Sequence, residues 1–401
     1  GELTAILTLV VVGVWIFSLG CTATASFYVA RYPQDAARFV GTWLVLLLPI
    51  SVVGIALLEL ALPTVLGAQS SGTQALARLY VLTLGVSLLY QLAYGVQLGA
   101  HDFFFVYLVS FLRHGAIAAV YISLILFDAL SVKTAVAITV AVDACICASM
   151  LQRALRRHGV SRPSSALARR TAWFGFRALG TDLGGIVNGR LDLFIMPAFL
   201  GATSVGLYSV ATNVSWVVFT LASALTTLVL PAAARRERGG ATIVVISLYV
   251  TLVVGIAMAG AIALVADVAV KLIYGSDFAG SATPLRLLLP GTVAFAAASV
   301  LVAGLNSLER PGSAAAAQAP GILITVVGLL LFLNEGGIAA AAIVSTISYT
   351  TVLVAALVLY RGAARVSWGA FLLRPDELKT YGRWLAAAAA KRIPIARRQE
   401  L

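Results

Sequence analysis

Apolar runs of about 20 residues recur along the whole length of this chain, separated by short polar joints, and that recurrence leaves almost no choice of fold. In hydrocarbon, water does not rescue a backbone N–H or C=O that lacks a partner, so each run must close its hydrogen bonds within itself as a helix. Of the 401 residues, 61% are hydrophobic and 11% are charged; soluble domains run near about 45–50% and 25%. Taking about 20 residues per crossing, about eleven spans are expected, near 5–29, 39–66, 79–99, 103–127, 134–152, 171–199, 206–231, 241–265, 285–306, 314–333 and 337–360. The fold class is therefore all-α, a polytopic transmembrane helical protein.

The formal net charge of +12 does not point to a nucleic-acid partner, because the basic residues sit in the joints between apolar runs. Alternate joints hold Arg31 and Arg38; Arg153, Arg156, Arg157, Arg162, Arg169 and Arg170; Arg235, Arg236 and Arg238; Arg310; and a basic tail from Arg361. The other joints carry Arg78, Lys133, Lys271 and Arg286. A bias of roughly five to one assigns the first group to the cytoplasm, with residue 1 outside an inner (cytoplasmic) membrane and the tail inside. Cys21, Cys145 and Cys147 lie within apolar runs, and no CxxC pair with a distant partner exists, so neither a disulfide framework nor a zinc site is expected. No GxxxxGK[ST] string occurs, which argues against ATP hydrolysis. A membrane-embedded polyprenyl transferase would want acidic metal sites, yet no DxxD motif occurs and only three His are present. No cofactor, metal or catalytic residue is expected, and the chain is not read as an enzyme.

The two halves look alike at an offset of about 205 residues, with matching span lengths and loop charge. VVGIA stands at 52–56 and again at 253–257, each time in a long span after a basic joint. On this register the 171–199 span has no counterpart in the first half, so about one helix is expected to be missing at the N-terminus. The expected organisation is two pseudo-symmetric six-helix bundles around a central cavity: 1–158 as the first bundle with five helices, 159–170 as a basic linker, 171–361 as the second bundle, and 362–401 as a cytoplasmic or interfacial tail bearing Trp368 and Trp384.

Polar residues inside the spans point to function, since an ionisable group in a bilayer is costly. Tyr80, Thr83, Ser87, Tyr90, Tyr94 and Gln97 recur at three and four residues and form one stripe. The stripe faces either a wet cavity or a neighbouring helix. Thr181, Gly185, Asn188 and Asp192 form a second stripe, and Arg190 lies nearly opposite Asp192 on an ideal helix. One of the two should face the cavity while the other pairs with an adjacent helix. Arg113, beside His114, is mid-span, and Asp143 in the next span could be its partner.

The stretch NGRLDLFIMPAFLGATSVGLYSVATNVSWVVFTL at 188–221 resembles the start of the second half in the polysaccharide-transporter branch of the MOP exporter superfamily, the Wzx-like flippases. The matching features are Arg190 with Asp192, the turn Gly201–Gly206, and Gly206 with Tyr208. IYGSDFAGSATPLRLLLPG at 273–291 and LNSLERPG at 305–312 are similar to later parts of the same pattern. The resemblance implies a V-shaped cavity, alternating access, and a polyprenyl-diphosphate-linked oligosaccharide carried from the inner to the outer leaflet. Its partners would be membrane lipid, the lipid-linked glycan and glycan-assembly enzymes. On this reading Arg190 first and Arg113 second contact phosphate, Asn188, Asp192, Tyr90, Tyr94 and Gln97 complete the substrate site, and Asp192 is the ion-coupling candidate. The alternatives are a multidrug or cation exporter of the same superfamily and a degenerate, non-transporting membrane protein.

Overall fold

Each expected span coincides with helix in the computed structural model, which describes residues 2–66, 71–126, 131–234 and 240–371. Among the described residues there is no strand. Arg235, Arg236, Arg238 and the tail beyond 371, including Trp384, lie outside the described residues.

The first span is α1 (Glu2–Phe17) and α2 (Cys21–Arg31), bent by 43°. At the break Leu19 and Gly20 have φ of 46° and 61°. Gly20 is needed there twice over: it takes a left-handed conformation, and a Cβ would sit 2.4 Å from the Gly175 carbonyl oxygen. There follow α3 (Ala36–Leu66), α4 (Ser71–Val81), α5 (Leu84–Gly99), α6 (Phe103–Leu126) and α7 (Val132–His158). Ser131 and Thr134 cap α7 reciprocally, satisfying N–H groups that its first turn would leave unpaired. Beyond the basic joint come α8 (Ser165–Ile195), α9 (Ala202–Ala234), α10 (Gly240–Tyr274), α11 (Ala282–Ser307), the short α12 (Pro311–Ala316) and α13 (Ala319–Ala364). Gly337, at φ 54° and ψ −144°, breaks α13 into two crossings. Among the described residues seven helices are long and apolar enough to cross a membrane, and eight when the bent first pair counts as one. At 31 and 33 residues α8 and α9 are also long enough, reaching roughly 46–50 Å at 1.5 Å per residue.

Shifted by about 205 residues, α1–α2 falls on α9, α3 on α10, α4–α5 on α11, and α6 and α7 on the two parts of α13, with their joint near Gly337. α8 has no such partner among the described residues.

The apolar cores follow the same division. One gathers Phe27, Phe39, Trp43, Leu62, Leu84, Leu88 and Leu92 from α2–α5. Others gather Tyr208, Leu285, Leu288 and Leu333, and Val244, Leu301, Leu305 and Tyr360, from the second half. α11 is their hub: 83% of its apolar window is buried as it packs on α9, α10 and α13. α8 joins the two halves. Its first turns pack on α2 and α3, where the Trp43 indole donates to Thr171 at 3.0 Å. Further along, α8 packs on α12 and α13.

Candidate functional site

α8 turns two different faces to its surroundings. On one, Thr181 donates to the Pro311 carbonyl at 3.3 Å. Asn188 donates to the Gln318 carbonyl at 3.0 Å and to Gln318 Oε1 at 2.9 Å. Asp192, 1% exposed, accepts from the Tyr208 hydroxyl at 2.6 Å, from Ser345 at 3.1 Å and from the Leu193 N–H at 2.8 Å. The second stripe read from the sequence therefore binds α8 to α9, α12 and α13. Its three polar residues, Thr181, Asn188 and Asp192, are helix-to-helix hydrogen-bond partners, the cheapest way to bury them in a bilayer.

The other face is open. Arg190 is half-buried, with its guanidinium 4.9 Å above the Trp216 ring and one N–H donated to Asn213 Oδ1 at 3.3 Å. Gly189 makes room for that ring, because a Cβ there would stand 2.4 Å from it. Among the described residues Arg190 makes no ion pair. Asp182, eight residues earlier, lies about 80° around the helix from Arg190, and it is exposed. On α9, Asn213 and Thr220 are exposed too. Four polar or charged side chains uncovered in the middle of two membrane helices would be expensive against acyl chains and are inexpensive in water. Such a face suits water, and Arg190, steadied by an aromatic face and an amide, keeps N–H donors for a ligand. Of the pair singled out in the sequence, Arg190 lies on the less covered face of α8 and Asp192 is the one buried and paired.

The remaining expected residues form a separate cluster in the first half. Arg113 Nε lies 2.6 Å from Asp143 Oδ1, joining α6 to α7, with the two side chains 29% and 26% exposed. The Tyr90 ring lies 5.7 Å from that of Tyr94, and both pack with Val109 of α6 and Met150 of α7. Tyr121 reaches Thr139 at 2.8 Å across the same helix pair. Gln97 is fully buried, donating to the Met150 carbonyl at 3.4 Å. The tyrosine stripe thus turns toward α6 and α7, inside its own half, and among the described residues no contact brings Arg113, Tyr90, Tyr94 or Gln97 to Arg190.

Asp182, Asn213 and Trp216 do not stand out in the sequence. A carboxylate two turns before Arg190 on one long apolar helix is the available signal for Asp182. Asn213 and Trp216 have none, since their role depends on how α9 packs.

On the side of the membrane where α2 ends, the two halves are tied together. Arg31 donates to the Ala234 carbonyl at 3.3 Å, Tyr32 donates to Glu309 at 3.2 Å, and Arg170 lies 3.7 Å from Glu309 and 3.4 Å from the Tyr32 hydroxyl. Tyr32, Arg170 and Glu309 together make a charged latch between the halves.

Comparisons with known proteins sharpen this geometry. A family model described as polysaccharide biosynthesis protein matches residues 70–283, just over half of the chain. Among solved structures, a mutant of the Vibrio cholerae MATE transporter VcmN superposes with a TM-score of 0.75 at 16% identity, covering 92% of this chain and 89% of that one. A MATE transporter in its straight conformation gives a TM-score of 0.77 at 16% identity over 91% and 88% of the two chains. The bent conformation gives 0.77 at 16% identity over 91% and 87%. A comparison with the curated proteins finds no match. The structural likenesses establish the fold: a polytopic, all-α membrane architecture.

Proposed function

The chain belongs to the polysaccharide biosynthesis protein family, within the MOP exporter superfamily that also holds the MATE transporters, and from that premise we propose that it is a flippase for a polyprenyl-diphosphate-linked oligosaccharide. The observation that carries the reading is Arg190: an arginine within a membrane helix, free of any ion pair among the described residues, steadied over Trp216 and lying on the less covered face of α8. A diphosphate needs planar, multidentate donors, which a guanidinium supplies and a lone ammonium does not. The head group would enter a cleft between α8 and α9 while its prenyl tail stays in the bilayer. Opening and closing of the Tyr32–Glu309–Arg170 latch would expose the cleft alternately to the two sides. On the orientation read from the basic joints, that latch is cytoplasmic.

Asp192, expected as the ion-coupling site, has its carboxylate oxygens engaged by Tyr208, Ser345 and Leu193. The carboxylate open to the cleft is Asp182, and it is the group proposed here to exchange a proton or cation during the cycle. The same carboxylate favours a second reading, export of an organic cation, which a charged cleft of opposite bias would suit.

Reconstituted protein assayed for transfer of a short polyprenyl-diphosphate oligosaccharide between leaflets tests the proposal. Arg190→Ala is expected to lower the rate at least about a hundredfold, the scale of losing several charge-assisted hydrogen bonds, with Arg190→Lys recovering part of it. Wild-type transfer in Arg190→Ala would overturn the site. Uptake of an organic cation that depends on Asp182, without any transfer of the glycolipid, would favour the second reading.

A further inference from the structure

The C-terminal end of α7 carries a second basic site, at the outer edge of the first half and separate from the α8–α9 cleft. Arg153, Arg156 and Arg157 cluster within its last two turns. Together with Ser149, Gln152 and Phe105 they line a cleft of about 520 Å³. Asp102, at the joint between α5 and α6, is the carboxylate of the cluster: Arg153 Nε lies 2.6 Å and Arg157 Nη1 3.4 Å from the same Oδ2. Arg153 also lies over the Phe105 ring at 4.3 Å, and Arg157 donates to the Ala100 carbonyl at 3.0 Å. Two of the three guanidinium groups are thereby fixed in place, and three positive charges face one negative charge. Arg156 is exposed and takes no part in that network.

Beside the basic cleft runs an apolar one of about 490 Å³, lined by Ala148, Leu151 and Leu155. Gln152 and Arg156 line both. Ala148, Leu151, Gln152, Leu155 and Arg156 share one face of α7, each three or four residues from others in the set, so the apolar groove runs lengthwise along α7 for about 10 Å and ends at the arginines. A groove for hydrocarbon that opens onto a net positive cleft at the membrane boundary has the form of an amphiphile with an anionic head. α6, whose Phe105 lines the basic cleft, has only 11% of its apolar window buried; so uncovered an apolar surface suits the bilayer.

We infer that the end of α7 binds an anionic phospholipid of the surrounding bilayer, its phosphate held by Arg156 with Arg153 and Arg157, and one acyl chain lying along Ala148, Leu151 and Leu155. Basic pockets between helices at the membrane surface recognise lipid phosphates by this chemistry. The site is independent of the transport reading: it uses none of the residues assigned to the cargo.

The test is lipid binding to the delipidated, full-length protein, followed by native mass spectrometry, with phosphatidylglycerol, phosphatidylcholine, polyprenyl diphosphate and inorganic diphosphate as separate probes. Phosphatidylglycerol is expected to bind at least about tenfold tighter than phosphatidylcholine, the scale of one charge-assisted contact. Arg156→Gln should remove that preference and Arg156→Glu should reverse it, both with the melting temperature of the lipid-free protein unchanged. Equal binding of the two phospholipids, or a preference that survives Arg156→Glu, would overturn the inference. So would tight binding of inorganic diphosphate alone, which would make the site one for soluble anions, or binding of polyprenyl diphosphate that excludes phosphatidylglycerol, which would make it a cargo site.

Discussion

The two halves of this protein share a helix plan but differ in how each treats its central helix. In the second half α11 is unbroken and 83% of its apolar window is buried; in the first half the equivalent stretch, Gln74–Gly99, is 44% buried. That stretch is interrupted between α4 and α5, at Leu82 and Thr83. The polar groups follow suit. Asp192, Tyr208 and Ser345 form a buried, fully partnered network, whereas Arg113 and Asp143 pair in a half-exposed setting. The second half is built as a tightly packed body that holds α8 in register, and the first half as a looser one. A site that must keep an unpaired arginine aimed at its ligand belongs on the rigid side, where packing fixes the backbone beneath it.

Equivalent substitutions should therefore cost unequal amounts in the two halves. The largest gap is expected at the carboxylates. Asp192→Ala leaves the Tyr208 and Ser345 hydroxyls buried without their acceptor and should cost about 3 kcal/mol. Asp143→Ala should cost about 1 kcal/mol or less, the scale of a hydrated ion pair. Thermal unfolding in detergent measures both, and equal losses would mean that Arg113 and Asp143 sit in dry surroundings.

A second contrast lies at the glycines of the two central helices. A Cβ on Gly291 would stand 2.6 Å from the Thr346 backbone, while one on Gly85 would find nothing nearer than 3.6 Å. Gly291→Ala should therefore destabilise by about 1–3 kcal/mol through overpacking. Gly85→Ala should stabilise by about 0.5–1 kcal/mol through helix propensity. The same sign at both positions would remove the distinction between a tight and a loose half.

The smallest effect is expected at the latch between the halves. Glu309→Gln removes one exposed ion pair, so stability should change by less than about 1 kcal/mol. The transfer rate should still shift, because weakening the closed latch moves the balance between closed and open states. An unchanged rate would take the latch out of the transport cycle.

Much of the fold was legible in the sequence because a bilayer enforces it: length, apolarity and loop charge suffice for spans and class. The stripes were legible as stripes, but not their destinations. Three- and four-residue spacing shows that Thr181, Asn188 and Asp192 share a face without showing whether water or another helix meets it. Here Pro311, Gln318, Tyr208 and Ser345 meet it, from 16 to more than 150 residues away along the chain. The opposition of Arg190 and Asp192 did follow from helix geometry alone; depth offered Asp143 as a partner for Arg113, and the structure pairs them. Asp182 was missed because it belongs to no stripe; only the uncovered face of α8 gives it meaning.

That uncovered face must be wet while the opposite face of the same helix is sealed. Single cysteines placed by Asp182→Cys, Asn213→Cys, Asn188→Cys and Asp192→Cys, in a chain freed of Cys21, Cys145 and Cys147, can be reacted in membranes with an impermeant maleimide. Ready labelling is predicted at positions 182 and 213 and almost none at 188 and 192. Labelling at 188 as fast as at 182, or none at 182 and 213 from either side of the membrane, would contradict a helix with one wet face and one sealed one.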